Sequence, residues 1–369
     1  MVSKEQIKHV FPGGNTPEGF FSYYQYIIPA TARRIFLIKG GPGTGKSSFM
    51  KKISAEMMSL GYALEHHHCS SDPHSLDGLV IPALNVAFMD GTAPHIVDPK
   101  NPGCVDEIIY LGNFWNENKI EACKSEIIAC NQDISLYFQR SYRYLRAAKS
   151  LYDDWENINL TAFDTAEANK KTQHLLSAVF RGAQTTGSGK VRKLFASAIT
   201  PEGSVHYLDS LSNPMSRNFV ITGQPGTGKS TLVQRIIDTA IFKGLDVEAY
   251  YCPLDPHKPE HVLIPALQTA VLTSVFPHTI NPVNTEIAID MNECLLKSNY
   301  KKLQDELAYN RFYFMQHFHE AIAQIRKAKQ LHDVLETYYV PNMNFTAVQE
   351  LWEKTLHRLL SYSKENPPQ

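Results

Sequence analysis

The chain has 369 residues, 43% hydrophobic and 20% charged, which suits two globular domains, each large enough to bury its own core. A formal net charge of −1 excludes a global field favouring nucleic acid or an anionic membrane. No stretch approaches the roughly 18 apolar residues of a membrane span, residues 1–10 lack an apolar signal core, and six cysteines without a CxxC pair read as reduced thiols, so the expected location is the cytoplasm.

One unit is written twice. Phe11 and Thr16-Pro17-Glu18-Gly19 open the first copy and recur as Phe195 and Thr200-Pro201-Glu202-Gly203. An apolar strand is predicted at 34–39, then a glycine-rich loop and a helix ending near Gly61, where glycine suits a C-cap. A second strand ends at Cys69-Ser70-Ser71-Asp72-Pro73-His74, and a third apolar run covers 85–89. Apolar residues then recur every three or four positions: Ile120, Ile127, Ile134, Phe138, Tyr142, Leu145, Ala148, Tyr152 and Trp155. They predict a helix of about 40 residues, with a return helix at 166–180.

The Gly/Thr/Ser-rich stretch 182–190 reads as a linker. Beyond it the elements repeat: a strand at 218–222, a loop, a helix ending near Gly244, Cys252 to His257, an apolar run at 269–272, a long helix from Leu303 to Tyr338 and a return helix at 346–362. Lys46 and Lys229 stand 183 residues apart, and Cys69, Asp72-Pro73-His74, Ile81-Pro82-Ala83-Leu84 and Pro94-His95 recur at that same offset. The expected fold is α/β: two tandem domains, 1–185 and 190–369, with parallel sheets, each carrying a long helical hairpin.

The loops carry the chemistry. Gly40-Gly41-Pro42-Gly43-Thr44-Gly45-Lys46-Ser47 and Gly223-Gln224-Pro225-Gly226-Thr227-Gly228-Lys229-Ser230 both fit GxxxxGKS. Glycines let backbone N–H groups converge on phosphate oxygens at the positive end of the following helix. Lysine reaches the β- and γ-phosphates, and Ser47 or Ser230 joins the Mg²⁺ shell. Ser48 and Thr231 complete the candidate nucleotide contacts. A structural glycine turn is the alternative; each loop, however, follows a predicted strand, opens a predicted helix and recurs in a repeat.

Magnesium needs a carboxylate. Asp90, closing Val86-Ala87-Phe88-Met89, is the candidate, with a turn before Gly91 as the alternative reading. Its counterpart is Thr273, so the second site is expected to hydrolyse slowly or to take its carboxylate from elsewhere. Asp72 and Asp255 are candidates, with Lys46 and Lys229, for the catalytic set: they order Mg²⁺ or the nucleophile, or else accept hydrogen bonds in an Asp-Pro turn. His74, His257, His95 and His278 recur and read as loop packing or as phosphate contacts. The run His66-His67-His68 reads against a metal site, since successive strand residues face opposite ways and its counterparts are Ala249-Tyr250-Tyr251. Arg140, Arg143, Arg146 and Lys149 form a solvated face or a lid; only Arg146 and Lys149 recur, as Arg326 and Lys329.

The loops resemble those of the P-loop NTPase superfamily. Their wording resembles the AAA+ branch, although Gly91 stands where that branch has a catalytic glutamate. Gly14-Asn15-Thr16-Pro17 with Gly19-Phe20, His68-Cys69-Ser70-Ser71-Asp72 and Asp90-Gly91-Thr92-Ala93-Pro94-His95 resemble a family of tandem P-loop ATP-binding proteins of Gram-positive bacteria. The resemblance implies ATP binding and ATPase activity; that family's pattern has an Asp where this chain has Thr273. Three functions follow: an ATPase driving helical arms on a protein partner, a kinase of a nucleotide or small metabolite, or a nucleotide sensor with little turnover. ATP is expected over GTP because no NKxD motif is present, and the two copies could form an internal pseudo-dimer.

Overall fold

The computed structural model describes residues 7–93, 96–185, 187–281, 283–296, 300–365 and 367. In chain order the first half contains β1 (Ile7–Val10), β2 (Gly13–Thr16), β3 (Gly19–Ser22), β4 (Arg34–Lys39), α1 (Lys46–Ser59), β5 (Leu64–Cys69), β6 (Asp72–Ile81), β7 (Val86–Asp90), β8 (Asp106–Tyr110), α2 (Glu117–Glu121), α3 (Lys124–Thr161) and α4 (Thr165–Val179). The second half follows with β9 (Val191–Leu194), β10 (Ser197–Thr200), β11 (Gly203–His206), α5 (Leu208–Ser212), β12 (Arg217–Thr222), α6 (Lys229–Phe242), β13 (Val247–Cys252), β14 (Asp255–Ile264), β15 (Thr269–Thr273), β16 (Thr285–Asp290), α7 (Gln304–Tyr339) and α8 (Phe345–Glu365).

The fold is α/β with two similar halves. One sheet has the order β1-β5-β6-β7-β4-β8 and the other β9-β13-β14-β15-β12-β16. The sheets are mostly parallel, which corrects the expectation of wholly parallel ones: β6 runs antiparallel to β5 and β7, and β14 to β13 and β15. The cause is local. Cys69 pairs with Asp72, and Cys252 with Asp255, across two-residue turns too short for a crossover. The Asp-Pro-His segment therefore begins a strand instead of ending one.

Two compact units emerge, and they cross the sequence repeat. One comprises residues 1–14, 22–140 and 323–369; the other comprises 15–21 and 141–322. In the first, Val348, Trp352 and Leu359 of α8 pack into the core made by Phe36, Ile53 and Phe88. Their spacing of four and seven residues puts them on one helix face. In the second, α4 buries Ala168, Thr172, Leu175 and Val179, and Arg217 donates to the Ala178 (2.8 Å) and Val179 (3.3 Å) carbonyls. Asp164 starts α4 by accepting from the N–H groups of Ala166 and Glu167, as an N-cap should. Among the described residues, no helix is long and apolar enough to cross a membrane.

Leu359 is fully buried. Leu359→Ala should cost the first unit about 2–5 kcal/mol, the range for a buried leucine cavity. Urea unfolding followed by Trp115 and Trp352 fluorescence measures it; a loss under about 1 kcal/mol would remove α8 from that core.

Candidate functional site

Each glycine-rich loop joins the end of a buried strand to the start of a helix. Gly45 and Gly228 sit in the left-handed region, with φ of 89° and 81°, so the chain can turn sharply into α1 and α6. Among the described residues no side chain caps either helix, which leaves the first-turn N–H groups for an anion or water.

In the first unit, Lys46 Nζ donates to the carbonyl oxygens of Gly40 (3.1 Å) and Gly41 (3.0 Å) and lies 3.6 Å from Asp90 Oδ2. Thr44 Oγ1 donates to Gly41 O at 2.8 Å, holding the loop closed on itself. Ser47 Oγ accepts from the Leu76 N–H at 3.0 Å. Asp90 is buried at the end of β7, opposite Ile38 of β4, and its Oδ1 accepts from both the N–H and the hydroxyl of Thr92.

In the second unit, Lys229 Nζ and Thr227 Oγ1 both donate to Gln224 O, at 2.6 and 2.7 Å. Thr273 pairs with Ile221 as Asp90 pairs with Ile38. Among the described residues its buried Oγ1 meets no hydrogen-bond partner. Burial outweighs the attraction of Glu260 and Glu156 and pushes the Lys229 pKa down to about 8, although the side chain keeps part of its surface open to the cleft. That cleft, about 200 Å³, is lined by Tyr152, Glu156, Lys229, Asp255, Lys258 and Glu260 among others.

A helix face closes over each loop. Lys149, Asp153 and Glu156 of α3 recur as Lys329, Asp333 and Glu336 of α7, at an offset of 180. Lys149 pairs with Asp153 and lies 3.3 Å from Asp255; Lys329 pairs with Asp333 and lies 3.5 Å from Asp72. Burial opposes each ammonium charge, but the two carboxylates overcome it, so both lysine pKa values are raised. Lys258 adds a second cation, 2.7 Å from Glu156 and 3.4 Å from Asp255.

The structure thus gathers Lys46, Ser47 and Asp90 around one loop, and Lys229, Ser230, Thr231 and Asp255 around the other cleft. Asp72 accepts from the His74 N–H and Ser75 Oγ, while Asp255 accepts from the His257 N–H, so each carboxylate also makes a local turn contact. The His74 and His257 side chains are exposed. His95 lies outside the described residues, and His278 is buried near Glu260. Of the basic series it is Lys149 that meets Asp255; Arg146 donates to Pro17 O at 3.3 Å.

Two further acidic residues belong to the sites. Asp77 on β6 and Glu260 on β14 occupy matching positions, five residues into each strand. The antiparallel register carries Asp77 towards Asp90 and Glu260 towards Thr273. Their shared offset of 183 was the available signal. Glu156 and Glu336 carried the same kind of signal at 180. No protein-family model, curated protein or solved structure matches the chain.

The loop apices admit no side chain. A Cβ on Gly226 would lie 2.2 Å from Glu156 O, and one on Gly43 2.6 Å from Val340 Cγ2. Gly182 has a similar φ of 74° but open space around it. Gly226→Ala should therefore destabilise the protein by about 1–3 kcal/mol more than Gly182→Ala, since the backbone strain is common to both and only the clash differs. Equal costs in urea unfolding would show that the apex contact is not tight.

Proposed function

We propose that the chain is a cytoplasmic tandem P-loop NTPase that binds ATP with Mg²⁺ at both loops and hydrolyses it at the first, moving its helical arms against a protein partner. The observation that carries this reading is the state of the two lysines. Each ammonium is folded back on its own loop's carbonyls beside a helix N-terminus that no side chain caps. Such a cradle exchanges weak internal contacts for phosphate oxygens.

The donors present fit Mg²⁺, which takes hard oxygen ligands. Ser47 and Asp90 would hold it in the first site, and Ser230 with Glu260 in the second. Bound there, Mg²⁺ would neutralise phosphate charge. The chain's own residues do the rest. First-turn N–H groups bind the phosphates, Lys46 moves from Gly40 and Gly41 to the terminal oxygens, and Asp72 orients the attacking water. Lys329, beside Asp72, supplies the second cation that phosphoryl transfer favours. Thr273 in place of Asp90 favours a second site that holds nucleotide with slow turnover. Exposed Tyr309, Phe312 and Tyr313 on α7 support a protein partner for the arms.

Phosphate release and nucleotide binding by wild type, Lys46→Ala and Lys229→Ala test the proposal. Lys46→Ala should lose turnover by about 100-fold or more, whereas Lys229→Ala should keep it and bind one nucleotide fewer. Loss of turnover with Lys229→Ala alone would reverse the assignment. Failure of wild type to bind any nucleotide would end it.

The second loop should also report pH. A phosphate bound there favours the charged lysine, but in the free protein that charge is lost above about pH 8. Binding therefore takes up a proton and weakens as pH rises. Between pH 7 and 9, ATP affinity of the Lys46→Ala protein should fall about tenfold by calorimetry. A flat profile would mean Lys229 does not meet the phosphates.

A further inference from the structure

Three histidines converge on one face of the first sheet, apart from its glycine-rich loop. His9 stands beside His66 in the parallel β1–β5 register, and His66 and His68, two apart on β5, share a face. One ring nitrogen of each lies within 4.8 Å of one from each of the others. The ring centroids of His9 lie 5.3 Å from His66 and 5.1 Å from His68.

We propose that His9, His66 and His68 form a binding site for a divalent transition-metal ion of the zinc type. The hydrogen bonds fix the tautomer of His68 and bear on those of the other two rings. His68 donates Nδ1–H to Pro73 O at 2.8 Å, so its Nε2 carries the lone pair. His9 Nδ1 lies 2.8 Å from that atom and, without an ion, gives it a hydrogen. His66 Nε2 lies 2.7 Å from Ser54 Oγ; donation there leaves Nδ1 as its lone-pair atom. A carbonyl and a hydroxyl behind the rings are the outer-shell partners that orient metal-bound histidines.

Metal–nitrogen bonds of 2.0–2.1 Å in a tetrahedron set the nitrogens about 3.3–3.4 Å apart, so His9 and His68 need part by only about half an ångström.

A second cluster satisfies the same distance but fails on chemistry. Glu260, His261 and His278 also lie within 4.8 Å of one another. There His261 Nδ1 accepts from the Thr273 N–H at 3.0 Å, so its hydrogen sits on Nε2, the atom facing Glu260 at 3.6 Å. Metal binding would demand a doubly deprotonated ring. The fold itself does not require the three histidines either. At their positions the second repeat has Lys193, Ala249 and Tyr251, with Lys193 Nζ 5.2 Å from the Tyr251 ring centroid. An ion held by His9, His66 and His68 would tie strand β1, at the sheet's edge, to β5.

The test is metal titration of the chelator-stripped, full-length protein without nucleotide. Wild type should bind one equivalent of Zn²⁺ more tightly than about 1 μM, show Co²⁺ d–d bands of nitrogen coordination and rise in Tm on loading. The variant His9→Lys/His66→Ala/His68→Tyr, which carries the second repeat's residues, should fold by circular dichroism and lose that site. His9→Gln, changed only on the edge strand, should weaken binding by at least about tenfold. No stoichiometric Zn²⁺ on wild type, or unchanged binding by either folded variant, overturns the proposal.

Discussion

The contact between each loop apex and a long helix is the constraint on which the rest depends. At Gly226 the approach is backbone to backbone, and Asn159 Nδ2 fixes it by donating to Pro225 O at 2.7 Å, fully buried. At Gly43 the apex meets Val340 and Glu336. A contact this close dictates glycine in the loop and a fixed distance to the residues above it. The helix above the second loop, α3, belongs to the first sequence copy, and the helix above the first loop, α7, belongs to the second. Neither copy can then complete its own site, because the loop and its cover are encoded in different repeats.

That arrangement sets the electrostatics. Around Lys46 the nearby Asp90 carboxylate offsets the ammonium. Around Lys229 the matching residue is Thr273, and burial weakens the lysine's hold on its proton. Glu260 and Glu156 restore part of the balance from the next strand and from α3. On the proposed reading the second loop has a buried lysine whose charge a phosphate would favour, but lacks the Asp90 carboxylate. On that reading the slow chemistry of the second loop follows from one substitution.

Local pattern made much of this legible. The strands feeding the loops, the helix starts at Lys46 and Lys229 and the two long helices with their return helices stood in the apolar spacing and in the glycines. What stayed hidden was non-local or masked by turn chemistry. Asp72-Pro73-His74 looks like a loop, so the antiparallel strand it begins was not apparent. Val348, Trp352 and Leu359 announce an amphipathic helix but not the sheet it covers, and periodicity has no term for partner choice. Asp77 and Glu260 were visible as an acid repeated at the shared offset, yet only the register shows that they approach Asp90 and Thr273. The histidine run misled through its middle member: His67 alternates away, while His9, distant in sequence, supplies the third ring.

The exchange also explains which residues stayed alike in the two copies. Lys149–Asp255 and Lys329–Asp72 each join a helix from one copy to a strand from the other. All four side chains keep some exposure, and pairs of that kind add at most about 1 kcal/mol. Stability alone is thus a weak reason for both pairs to be kept. A lysine held beside a carboxylate and next to a glycine-rich loop gains its value from position. Because each pair is split between copies, a change in one copy's helix is felt at the other copy's loop, and the two sites are free to differ in chemistry while sharing one geometry.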